Sequence, residues 1–148
     1  MTTYNTIGQA IKTKLETISG LTVYLNRDKT APVDENVIPY ADIRIGEDNP
    51  NENLGAFGSE VHKMTVQIIY FEHSGASPDT TVSKINTLGT QIFDKMNTLR
   101  GELITSFTIE DMTSPTRSSP ENGQGSTLFI AQALSYDIFF STNIYGES

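Results

Sequence analysis

The chain of 148 residues contains no cysteine and no tryptophan. Without thiols it forms neither a disulfide framework nor a thiolate metal site, and the redox compartment stays open. Basic residues are also scarce, with 10 Lys and Arg against 18 Asp and Glu and a formal net charge of −8. Neutralising phosphates needs clustered Lys and Arg, whereas these are scattered, so specific nucleic-acid binding is not expected. No apolar run approaches the roughly 20 residues of a membrane span. Met1 to Asn5 lacks the basic-then-apolar layout of a signal peptide, which leads to the expectation of a soluble protein made in the cytoplasm, with no membrane partner. Only 36% of residues are apolar, and the plentiful Thr, Ser, Asn and Gly place much of the chain in loops or on wet strand faces. Some of that surface would be covered only in an oligomer. A chain of this length fits one domain, residues 1–148.

Catalytic signatures are missing too. The stretch GEDNPNEN resembles a calcium loop in composition, but a start at Glu47 puts Glu52 where glycine is needed and a start at Asp48 puts Pro50 at the third position. Gly123-Gln124-Gly125 begins a dinucleotide fingerprint, yet Leu128 takes the place of the third glycine and a strand follows. His62 and His73 flank one strand, roughly 35 Å apart if it is straight, too far to share a metal. No nucleophile elbow occurs. The expectation is no enzyme, no catalytic residues, no metal and no cofactor.

What is present is an order of segments. Thr6 and Gln9 have capping-box spacing, and Ile7, Ala10, Ile11, Leu15 and Ile18 recur at helical spacing before Ser19-Gly20. Leu21 to Leu25 alternates as a short strand. Pro39 opens another, Tyr40 to Ile45, with Ala41, Ile43 and Ile45 on one face and Tyr40, Asp42 and Arg44 on the other. Gly46 to Gly58 is the most polar stretch and reads as an excursion. From Ser59 to Glu72, Met64, Val66, Ile68 and Tyr70 share a face, and Ile69 with Phe71 make the far end apolar on both sides. Ser77-Pro78-Asp79 starts a long helix whose stripe is Val82, Ile85, Leu88, Ile92, Met96 and Leu99, with Gly89 on the same side, and Gly101 ends it. Leu103 to Met112 reads as a strand and Thr113 to Ser126 as a second polar loop. In the last strand, from Thr127, Leu128, Ile130, Leu134, Tyr136, Ile138 and Phe140 share a face interrupted by Gln132, with Phe129, Ala131, Ala133 and Phe139 opposite. Small Ala131 and Ala133 suggest another layer pressing close.

The pattern predicts an α+β domain: a mainly antiparallel mixed sheet with two amphipathic helices packed on one face. Two long strands with apolar residues on both faces expose more apolar surface than two helices cover, so Ile69, Phe71, Phe129 and Phe139 are expected at contacts between copies.

This arrangement resembles the tail terminator, or tail-completion, proteins of long-tailed bacteriophages. The residues that carry the likeness are the helix from Ile7 to Ile18, the strand start at Pro39-Tyr40, the excursion from Gly46 to Gly58, the strand from His62 to Phe71, the helix from Val82 to Leu99 and the closing strand from Leu128 to Ser141. The resemblance implies a structural virion protein without cofactor. It would assemble with itself as a ring, by the family pattern a hexamer, cap the tail tube, stop its growth and form part of the head-tail junction. Its partners would be the major tail tube protein and a head-tail connector protein, its place the head-proximal end of the tail, and DNA would pass through the lumen. Gly46 to Gly58 would then be an assembly loop, with Glu47, Asp48 and the apolar anchors Leu54 and Phe57 as its contact residues. The alternatives are a head-tail connector or neck subunit from the same setting, and a cytosolic ligand-binding α+β domain, which would need a well-formed pocket with convergent polar groups.

Overall fold

The computed structural model describes residues 3–27, 35–49, 59–73, 77–101, 103–104, 107–118, 121–122 and 129–143. In chain order the elements are α1 (Thr3–Leu15), β1 (Thr22–Leu25), a short 3-10 turn (Glu35–Val37), β2 (Tyr40–Asn49), β3 (Ser59–His73), α2 (Pro78–Asn97), β4 (Leu103–Ile104), β5 (Phe107–Met112), β6 (Thr116–Arg117), β7 (Glu121–Asn122) and β8 (Phe129–Asn143). One sheet runs in the order β1-β2-β3-β8-β5-β4, with β6 and β7 also pairing with β8. All neighbours are antiparallel except β1 and β2, which are parallel. The fold is α+β, with both helices on one face of a mostly antiparallel sheet.

The spine is the β3–β8 pair, two strands of 15 residues in register from Ser59↔Asn143 to His73↔Phe129. Period-two alternation puts Met64, Val66, Ile68 and Tyr70 beside Ile138, Tyr136, Leu134 and Gln132 on one face. Ile7, Ile11 and Leu15 of α1, and Ile85, Leu88, Ile92, Met96 and Leu99 of α2, are buried in the same core cluster with those strand residues. Removing each such side chain from water contributes roughly 1.5–3 kcal/mol. Ser77 caps α2 by accepting a hydrogen bond at Oγ from the Thr80 amide at 3.2 Å, with proline in the first turn and Asp79 near the positive end.

Several boundaries differ from the sequence expectation. α1 starts at Thr3, so Thr6 lies inside the helix rather than at its start; the helix stops at Leu15, and Ile18 reaches the core from the turn beyond it. Val82 is 42% exposed and drops out of the α2 stripe. At 100° per residue it sits about 80° round from Ile92, on the margin of the face. β2 runs on through Glu47 and Asp48 to Asn49 instead of ending at Ile45, because Asp48 and Asn49 pair with Met64 and Lys63 beyond an irregularity after Ile45. Pairing overrides their low strand preference. The strand expected from Leu103 to Met112 is instead the β4–β5 pair, Leu103↔Thr108 and Ile104↔Phe107. The loop expected from Thr113 to Ser126 contributes β6 and β7 to the edge of β8.

Gln132, the polar interruption in β8, explains part of that last difference. It is 4% exposed, accepts the Tyr70 hydroxyl at 2.6 Å and donates through Nε2 to the Ser118 carbonyl at 2.9 Å. Ser118 also takes the Ala133 amide on its Oγ at 2.9 Å, so the segment after β5 is tied to β8 by a buried polar network. Ala131 and Ala133 are register partners of Phe71 and Ile69, so their smallness complements bulk on the adjoining strand, and Ala133 is buried.

Gly89 is where α2 comes nearest the sheet. A Cβ built there would meet the Tyr70 hydroxyl oxygen at 2.5 Å and its ring carbon Cζ at 3.1 Å. That hydroxyl is held at the end of a rigid buried ring, so it cannot yield without releasing Gln132. Gly89→Ala is therefore expected to destabilise by about 1–3 kcal/mol, although helix preference alone favours Ala by roughly 1 kcal/mol. Combining it with Tyr70→Phe, which removes the closest atom, should cost clearly less than the two single losses together. Chemical denaturation of the four proteins checks this, and additive losses would show that helix and strand do not meet as described.

Candidate functional site

The face of the sheet turned away from the helices divides into two parts. At one end lies an aromatic cluster in which Tyr40 stacks on Phe71 with ring centroids 4.4 Å apart, Tyr24 meets Tyr40 edge-on at 5.5 Å, and Phe71 meets Phe129 at 6.1 Å. Ile38 and Val37, on the approach to the cis Ile38–Pro39 bond, complete it. This arrangement explains why both faces are apolar there. The four rings come from adjoining strands, β1, β2, β3 and β8, and pack side by side on that end of the sheet.

Next to the cluster is an open groove of about 780 Å³ lined by Asn26, Arg27, Arg44, Ile45, Gly46, Thr65, Gln67, Ile69 and Ser135. Strand register assembles it. Arg44 pairs across to Gln67, Gln67 to Ser135, and Asp42 to Ile69, so β2, β3 and β8 each contribute to one face, and the residues just after β1 close its end. Asn26 ends β1 with φ 56°, a left-handed conformation Asn tolerates, while its amide donates to the Ile43 carbonyl at 2.7 Å and its Oδ1 accepts from the Ile45 amide at 3.2 Å. That brace holds Arg27 over the end of the groove.

The charge arrangement is specific. Asp42 is 2% exposed and pairs with Arg44, Nη2 to Oδ2 at 2.8 Å, and its Oδ1 accepts the Arg27 amide at 3.3 Å. Its carboxylate is thereby fixed from two sides, as a buried charge requires. The Arg27 guanidinium lies over the rings of Tyr24 and Tyr40, 5.5 and 5.8 Å from their centroids. Contacts of this kind hold the cation against the aromatic cluster. Toward the far end, the Thr65 hydroxyl donates to Asp137 at 3.4 Å, and Lys63 is the next residue of β3 on this face. Nothing in this set resembles a nucleophile and base held together for catalysis, and among the described residues no three His, Asp or Glu side chains gather as metal ligands.

Of the residues expected at contacts, Ile69 lies half-buried in the groove. Phe71 and Phe129 belong to the aromatic cluster, where the same chain covers them, Phe129 to 8% exposure. Phe139 is half-buried in register with Lys63 and Asp111. Glu47 and Asp48 are in strand β2, just past the groove, and not in a loop. Leu54 and Phe57 lie outside the described residues. Arg27, Gln67, Thr65 and Ser135 were not anticipated. The signal that existed was Asp42 and Arg44 two positions apart on one strand face, the spacing of an ion pair on a sheet surface.

No family model matches this chain, and no curated protein is similar to it. One of the solved structures similar to it matches at 12% identity and a TM-score of 0.49, over 93% of this chain and 96% of that one. A likeness of that degree carries no argument about function.

Proposed function

We propose that the chain is a structural subunit of a bacteriophage tail that assembles as a ring at the head-proximal end of the tail tube, caps it and contributes to the head-tail junction. The observation that supports this reading best is the one-sidedness of the sheet. Both helices lie on one face, while the opposite face keeps half-buried Ile69 and Phe139 and a groove open to solvent. A surface of that shape suits an adjoining copy or tube subunit. Of the elements that carry the resemblance to tail terminators, the two helices and the long β3 and β8 strands that flank α2 in chain order are present in the fold.

The ligand-binding alternative draws on the groove's volume and its polar lining, but a small-molecule site buries most of its ligand in a concave, largely apolar pocket. This groove is a trough on a sheet. The two readings separate in intact particles. Immunogold labelling or electron microscopy of virions is expected to place the chain at the head-proximal end of the tail; absence from that position, or from virions altogether, would overturn the ring reading and bring the ligand-binding one forward.

A further inference from the structure

We draw no further inference here: the strongest candidate, the groove on the open sheet face lined by Arg44, Thr65, Gln67 and Ser135, belongs to the site already described, and nothing in the structure shows what covers it.

Discussion

Ile92→Ala is expected to lower the unfolding free energy by about 2–5 kcal/mol, the range for deleting a buried large aliphatic side chain. Ile92 is fully buried at the middle of the α2 stripe, flanked by Ile85, Leu88 and Met96 in the same cluster as Val66, Ile68 and Leu134. The loss combines the transfer of three carbons to water with the hole they leave, and α2 has little freedom to settle into that hole because Tyr70 already abuts it at Gly89. Urea denaturation of the two proteins measures this. A change below roughly 1 kcal/mol would mean that the helix presents another face. Val82→Ala, at the exposed margin of the same helix, should change stability by no more than about 0.5 kcal/mol and serves as the control.

Alkali is expected to unfold the protein well before it would denature a domain without buried phenols. Tyr70 and Tyr136 are buried side by side in the core with 0% and 1% of their surface exposed. Burial is the main cause that pushes the Tyr70 hydroxyl up to about 12, with Arg117 pulling weakly the other way. Tyr136 is raised further, by burial first and then by Tyr70, against the pull of Arg100 and Arg117. Unfolded tyrosine titrates near 10. Because the folded value lies above the unfolded one, the contribution of each phenol is fully present below about pH 10 and disappears as pH climbs through the folded value. At about 1.4 kcal/mol per unit, Tyr70 alone accounts for on the order of 2 to 3 kcal/mol lost between about pH 10 and 12. Unfolding free energies across that interval, with tyrosinate absorbance read in parallel, test the point. Tyr70→Phe should flatten the slope; an unchanged slope would assign the loss to other groups.

How much of this was legible in the sequence depended on whether the signal was local. The start of α2 could be read because Ser77, Pro78 and Asp79 each act within one turn, and the helix face because its apolar period repeats over five turns. The inward face of β3 could be read because Met64, Val66, Ile68 and Tyr70 alternate without a break. β6, β7 and the outer third of β2 could not, since Glu47, Asp48, Glu121 and Asn122 are poor strand formers and the two residues of β6 are too few to show a period, so partners elsewhere in the chain hold them extended. The groove was hidden for the same reason. Its walls come from three strands and the turn after β1, and the register that sets Arg44 opposite Gln67 and Gln67 opposite Ser135 is a property of pairing, invisible to any window of sequence. Likewise, nothing nearby in sequence announced that Phe71 and Phe129 would share a cluster with Tyr24, Ile38 and Tyr40.

The position of β8 in the sheet also governs the order in which the molecule can be built. The final strand is threaded between β3 and β5, and it closes contacts such as Tyr70–Gln132 across a separation of 62 residues. Loop closure over such a span is slow, and no shorter-range pairing substitutes for it, because β2 and β5 each lean on a strand that β8 completes. A nascent chain that has emerged only as far as α2 therefore has two helices with half a platform beneath them, and the groove lacks the wall that Ser135 supplies. Any surface that needs the whole sheet is therefore complete only once β8 has paired, in a single step that follows the folding of everything before it.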